Sequence, residues 1–409
     1  MYFKIVNTLL AFCIVFGFPL PGIHNSTVLA AILIVVLRPK TIFLIGPILR
    51  NEYVRKIFFY LFFIMFYSFF VALYNQTGEL DIIRSLINQL FIFFTVLLFY
   101  ASLHKTVTID ETHWYLLNAY VVQSIIILLA YNIPAFEDLV RTFQSEGIRK
   151  VTEEGYDGFR GLALAAGQFY WISGAYAMIF VLFAYKIVEQ KRSLWEISLF
   201  VLVFTASLFT GRTIFIGVFF GLLLFLVNSD FKQTFKFYVF GGVIMIILFY
   251  LLPPSFFEGD FYNWAFEMFI NYESDGELST RSSDALLQGM IYIPPLKTFF
   301  LGDGLWATGG ADGGYYGATD SGIMRVLLFY GVMGLVVYFM FAVFVTFGLF
   351  KTTKLNTTLG FRFLLILFVF QLVLNIKGQS LGYMTSTQAI LFMFFIPYAL
   401  FNEATKTNT

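Results

Sequence analysis

The chain has 409 residues, 59% of them hydrophobic and only 12% charged. Its apolar residues gather in blocks of roughly 17 to 25, the length of helix that crosses a bilayer's hydrocarbon core, which excludes an ordinary soluble domain. The net charge of +1 comes from basic residues scattered between the blocks, so nothing supports a nucleic-acid partner. Cys13 is the only cysteine, which rules out an intramolecular disulfide and any Cys-based metal cluster.

Taken in chain order, the apolar blocks predict an all-α, polytopic transmembrane bundle. Its spans fall near 3–20, 26–37, 57–74, 84–103, 113–131, 161–185, 193–210, 213–228, 237–254, 321–349, 361–376 and 386–401, about twelve in all. The second is ill-defined at its far end. The first lacks a cleavage site of small residues after it, so it reads as a retained span. One set of connections carries Arg38, Lys40, Arg50, Lys186, Arg192 and Lys351 among other basic residues. Basic loops stay in the cytoplasm, which places both termini there.

The chain divides into three segments: 1–254 with spans one to nine and a third outer loop at 132–160, then a fifth outer loop at 255–320, then 321–409 with the last three spans and a cytoplasmic tail. In the fifth loop, Phe261, Trp264, Met268, Phe269 and Tyr272 recur at helical spacing, which suits a helix lying in the interface. Within 281–291, Arg281, Asp284 and Gln288 share one helical face, with Leu287 and Met290 towards the other. The stretch GDGLWATGGADGGYYG at 302–317 is either a mobile tether or a glycan-facing loop. Trp306, Tyr315 and Tyr316 favour the second, because flat rings beside polar groups suit sugar faces, as they also suit membrane interfaces.

Four outer-side arginines stand at or near span ends: Arg160, Arg212, Arg281 and Arg325. Each alone can be an anchor that snorkels to lipid phosphate. Several converging would form a pyrophosphate clamp, since a guanidinium keeps its charge and presents a planar fork of donors to phosphate oxygens. His24, His104 and His113 lack metal-ligand spacing, and the acidic pairs Glu258/Asp260, Glu273/Asp275 and Asp275/Glu277 read as solvated surface, so neither metal nor cofactor is expected. No P-loop, dinucleotide fingerprint or nucleophile elbow occurs. Asp320, in TDSG ahead of an apolar run, reads as a helix N-cap that could also take a proton from a hydroxyl.

GFRG at 158–161, TGRTIFIG at 210–217, TRSSDALLQGMIYIPPLKTFFLGDG at 280–304 and TDSGIMRVLLFYGVMG at 319–334, in this order between about twelve spans, resemble the Wzy-type O-antigen polymerases of the O-antigen ligase and polymerase superfamily. Ser321, Gly331 and Gly334 also fit the ligase motif, but Asp320 stands where the ligase has histidine. An Arg, ten residues, Gly pattern described for polymerases is not met, with Trp171 and Tyr292 at those positions.

The resemblance implies a GT-C-like, metal-independent glycosyltransferase of the bacterial inner membrane with its site on the periplasmic face. Its substrates would be oligosaccharides on undecaprenyl pyrophosphate, and its partners a chain-length regulator, a flippase and membrane lipid. Arg160, Arg212, Arg281 and Arg325 would then stabilise the leaving group, Asp320 would serve the acceptor hydroxyl, and Trp306, Tyr315 and Tyr316 would face glycan. A ligase, a lipid-linked sugar flippase and a partner-binding sensor are the competing classes. Against the flippase, no repeated halves are visible and charges cluster at span ends.

Overall fold

In a computed structural model, the structure describes residues 2–103, 107–155, 160–190, 194–228, 242, 260–307, 314–351, 355–378 and 384–401. Every named element among them is helical, and an isolated antiparallel bridge joins Ala307 and Tyr315. Helices α1 to α11 are Tyr2–Phe16, Ser26–Leu37, Thr41–Leu49, Glu52–Tyr74, Asp81–Leu103, Ile109–Asn132, Pro134–Thr142, Glu146–Gly155, Tyr170–Gln190, Leu194–Leu208 and Ile214–Asn228. Short helices come next at α12 (Asp260–Ala265), α13 (Glu267–Asp275), α14 (Arg281–Ala285) and α15 (Leu296–Leu301). The last three are α16 (Gly322–Phe347), α17 (Thr358–Lys377) and α18 (Thr385–Phe401).

Six of these, α4, α5, α6, α9, α16 and α17, are long and apolar enough to cross a membrane. The pair α2 and α3 is a seventh candidate bent by 111°, which accounts for the ill-defined end of the second apolar block. Helices α1, α10, α11 and α18 are apolar but shorter. The block at 237–254 lies outside the described residues. A helical membrane protein is what these elements support.

The chain forms two compact units, one of Met1–Gly17, Gly22–Leu116 and Ala285–Thr409, the other of Phe18–Pro21 and Leu117–Asp284. In the first, α4 buries Val54, Ile57, Leu61, Ile64, Ser68 and Val71, alternating three and four residues apart along one stripe. Phe59, Phe62, Phe63, Phe66, Phe69 and Phe70 of the same helix stay exposed, as a lipid-facing side should. Helix α5 buries a matching stripe through Ile82, Leu86, Gln89, Phe93 and Val96. Phe93 meets Phe392 of α18 with ring centroids 5.4 Å apart.

Helix α16 is not continuous. Gly331 has φ 71° and ψ −174°, a backbone region open essentially to glycine. Such a break frees carbonyls that hydrocarbon cannot satisfy. Three of them have found partners: Leu328 O accepts from Asp303 N–H at 2.7 Å, Phe329 O from Gly304 N–H at 3.1 Å, and Tyr330 O from the Tyr67 hydroxyl at 3.2 Å. The segment after α15 therefore docks backbone to backbone against the break. Side chains at Gly302 or Gly331 would overlap the carbonyls of Phe329 and Phe300. One at Gly334 would overlap Tyr330. The Tyr330 hydroxyl in turn bonds to Ser68 Oγ at 2.7 Å and to the Tyr338 hydroxyl at 3.1 Å.

In the second unit, small residues let α9 and α11 approach closely, the small-xxx-small device of membrane helices. A methyl at Gly217 would overlap the Ala177 backbone, and one at Gly221 would lie 3.4 Å from Ala184 Cβ. The expected helix over 261–272 is two helices, because Phe266 at φ −105°, ψ 13° interrupts it before Glu267. After Arg281–Ala285 the chain widens into a π-helical turn, Leu286–Met290. Within this turn, which belongs to the first unit, Leu286 is the buried residue and Leu287 is 69% exposed.

These close approaches give a stability test. Gly331→Ala and Gly217→Ala should each lower the melting temperature of the solubilised protein by several degrees, since overpacking typically costs about 1–3 kcal/mol. Gly46→Ala, where a methyl meets open space, should not. Equal melting temperatures for all three would contradict the packing described.

Candidate anion-binding site

Arg160 and Arg212 come together in the second unit. Gly161, with φ 74°, turns the chain directly after Arg160, and its carbonyl is held by the Gln144 side-chain amide. Arg212 lies in the turn between α10 and α11, where Thr210 N–H bonds to Ser207 O at 2.9 Å and Ile214 N–H to Gly211 O at 3.3 Å. Gly211 keeps this turn against α9, since a Cβ there would stand 2.8 Å from both Cβ and Oγ of Ser173. The contact of Gly211 with Ser173 thus sets Arg212 beside the start of α9.

The two guanidiniums share one indole. Arg160 Cζ is 4.4 Å from the Trp264 ring centroid and 4.9 Å from that of Phe169, and Arg212 Cζ is 5.4 Å from Trp264. Arg160 is 7% exposed and donates through Nη2 to Thr210 O at 3.2 Å. Guanidinium and ring faces attract by about 2 kcal/mol or more where water is removed, which offsets part of the desolvation of a buried cation. Arg212 Nη1 forms an ion pair with Glu267 Oε2, with side chains 15% and 18% exposed. Glu267 Oε1 accepts the Arg281 backbone N–H at 2.9 Å. The Arg281 residue itself is exposed, so it joins the group by its backbone. Ser173, fully buried, has no hydrogen-bond partner for Oγ among the described residues. That hydroxyl is a further O–H donor beside Gly211.

Arg325 belongs to the first unit. Its Cζ stands 3.9 Å from the Trp306 ring centroid and 3.6 Å from that of Tyr315. The bridge between Ala307 and Tyr315, with Tyr316 N–H to Trp306 O at 3.2 Å, brings the two rings to it. Trp306 is only 3% exposed and also packs edge-on against Phe329, so it is a core residue here. Tyr315 and Tyr316 keep some exposure.

The Tyr316 hydroxyl donates to Asp303 Oδ2 at 2.9 Å, and Thr298 Oγ1 donates to the same carboxylate at 2.9 and 3.0 Å. Burial, and then the Asp303 charge, raises the Tyr292 and Tyr316 phenols above their ordinary range, so Tyr316 stays a donor. Residues 308–313 of the glycine-rich stretch lie outside the described residues.

Asp320 does not cap α16. The N-cap is Ser321, whose carbonyl accepts the first helical bond from Arg325 N–H at 2.9 Å, while Ser321 N–H is held by Thr319 Oγ1 at 3.1 Å. Thr319 Oγ1 thus holds the N–H of the N-cap residue itself, and no side chain caps the first turn of α16. Asp320 is exposed and makes no hydrogen bond or ion pair among the described residues.

Glu267, and the part Trp264 plays, were hidden in the sequence. The available signal was a lone carboxylate inside the aromatic run NWAFEMF, three residues after the tryptophan and so on its helical side. Among the described residues no group of three or more His, Cys, Asp and Glu could hold a metal. Phe394 O accepts from His113 Nε2, 3.0 Å away, and the imidazole stacks on the Phe394 ring. Glu273, Asp275 and Glu277 are exposed, while Glu258 lies outside the described residues.

Since Asp320 caps nothing, Asp320→Asn and Asp320→Ala should leave the melting temperature within about a degree of wild type, whereas loss of a true cap typically removes about 1 kcal/mol. A clear drop for Asp320→Ala would restore the capping role. No family model and no curated protein sequence matches the chain, so a functional reading has to stand on the chemistry of these residues.

Proposed function

We propose that the protein is a polysaccharide polymerase of the Wzy type, moving a growing glycan from undecaprenyl pyrophosphate to a hydroxyl of the next lipid-linked repeat unit. One observation carries this reading: Arg160 and Arg212 converge on Trp264, with ring-bound faces and in-plane donors. Breaking a glycosyl phosphate bond leaves charge on the departing pyrophosphate oxygen. Fixed guanidiniums in a water-poor setting stabilise that charge without reorganising. The Ser173 hydroxyl beside them adds a donor.

On this reading the chain has the twelve-span, GT-C-like topology of the resemblance. It would lie in a bacterial inner membrane, with both termini in the cytoplasm and the arginines at the periplasmic face. The resemblance alone would give Asp320 a role at the acceptor hydroxyl and Tyr315 and Tyr316 one at glycan. The exposed phenylalanines of α4 offer apolar surface to polyprenyl tails.

One feature favours a second reading, a lipid-linked sugar flippase. Helix α16 is interrupted at Gly331, and interrupted spans are typical of transporters. Against it, the freed carbonyls are bonded to fixed protein groups rather than left for a substrate.

In a host that joins polymer to lipid A core, deleting the gene should leave core bearing a single repeat unit on a gel. Bare core with polymer held on the lipid carrier would mean a ligase. No product at the outer face would mean a flippase. At matched protein levels, Arg160→Ala and Arg212→Ala should each lower polymerisation roughly 10²-fold or more. Lysine should not rescue them, because it lacks the planar fork. Because arginine stabilises the leaving group, activity on lipid-linked substrate should survive excess EDTA; restoration by Mg²⁺ after a loss would overturn the clamp.

A further inference from the structure

The leaving-group argument makes no use of Glu267. This carboxylate holds the place on Arg212 that a phosphate oxygen would need, with Oε2 on Nη1, and its other oxygen takes the Arg281 N–H at 2.9 Å. A pyrophosphate approaching Arg212 therefore meets a like charge at bonding distance from its own donor. Two anions cannot share the fork without repulsion of several kcal/mol. Either Glu267 gives up Arg212 or it gains a proton, and both changes run the same way. A carboxylate paired with arginine is a weak base; stripped of that partner and set beside phosphate, it becomes a stronger one.

We propose that Glu267 is the proton acceptor for the incoming sugar hydroxyl, made basic when the lipid pyrophosphate takes Arg212 from it. This rests on the polymerase reading. In the step, the hydroxyl oxygen bonds to the anomeric carbon of the growing chain as the bond from that carbon to pyrophosphate breaks. The electron pair leaves on the pyrophosphate oxygen, towards Arg160 and Arg212, and the hydroxyl proton passes to the Glu267 carboxylate. Charge balances within the site: the released lipid pyrophosphate carries one more negative charge than the glycosylated one, and Glu267 carries one fewer. The proton then returns to water as the lipid departs and Arg212 pairs with Glu267 again. The carboxylate is thus both the resting counter-ion of the clamp and the base of the reaction.

The competing role is structural: Glu267 would neutralise Arg212 and pin residue 281. Glu267→Gln separates the two, since the amide oxygen can still accept from Arg281 N–H and the volume is kept, while the charge and the basicity are lost. With full-length protein and lipid-pyrophosphate-linked repeat units, single-turnover rate should fall roughly 10²-fold or more, the loss expected of a missing general base. KM should be unchanged or lower, and inorganic pyrophosphate should inhibit several-fold more tightly, because the like charge is gone. A rate within about threefold of wild type overturns the proposal, judged against the same general-base expectation. So does a rate loss accompanied by weaker inhibition by pyrophosphate, which is the mark of a misplaced clamp. If wild-type protein lengthens no chain, the polymerase reading fails and the base role with it. If wild type lengthens chains and Glu267→Gln does so equally well, the base role alone fails.

Discussion

A polar group in hydrocarbon must bring its partner with it, and each unusual feature of this chain answers to that demand. The break at Gly331 is the clearest instance. An unpaired carbonyl at membrane depth costs several kcal/mol, so a helix can be interrupted there only if donors are already waiting. Asp303 N–H, Gly304 N–H and the Tyr67 hydroxyl are those donors. Their positions explain the GDG sequence: Gly302 and Gly304 both have positive φ, at 71° and 65°, which turns two successive N–H groups towards α16. The aspartate between them is then held by Thr298 and Tyr316. Backbone satisfaction and side-chain placement are one construction.

The same demand governs the arginines. A guanidinium removed from water needs both a face and an edge filled, and the second unit fills them differently. Trp264 and Phe169 lie against the face of Arg160, while the Thr210 carbonyl takes an edge donor. Arg212 leans on the same indole and turns its edge to Glu267. Arg325 shows the alternative, two rings within 4 Å of its Cζ. Rings attract the cation without consuming its in-plane hydrogen-bond donors, which is why aromatic residues can stabilise a buried arginine and still leave it useful for chemistry.

How much of this was legible in the sequence depends on the physical scale of each feature. Hydrophobic length is additive along the chain, so eleven of the twelve apolar blocks fall on described helices. Only six of those helices, or seven spans with the bent pair of α2 and α3, are long and apolar enough to cross a membrane, which leaves the count of twelve spans unmatched among the described residues. The glycines at 302, 317, 331 and 334 could be seen but not assigned, because a glycine needed for a close approach looks like one in a tether until the approaching backbone is known. Glu267 was harder. A carboxylate in an amphipathic stretch normally faces water, and only the fold reveals that this one faces Arg212. Asp320 erred in the other direction: TDSG contains three residues able to cap, and the local choice between Asp320 and Ser321 depends on what Thr319 is doing, which is set by its bond to Met290 O at 2.7 Å.

The arrangement also explains why small residues and charges occur side by side in TGRTIFIGVFFG. Close packing of α9 on α11 through Gly217, Gly221, Ala177 and Ala184 is a short-range, stiff contact, and stiffness is what an electrostatic site requires. A guanidinium that drifts by an ångström loses most of its advantage over water in meeting a developing charge, because its donors no longer aim at one place. The small residues of the seam hold the Thr210 carbonyl, the Gly211 turn and Arg212 as a single rigid step of chain. Packing at the seam and charge at its end are therefore mechanically coupled: enlarging a glycine several residues away would displace the turn that carries the cation.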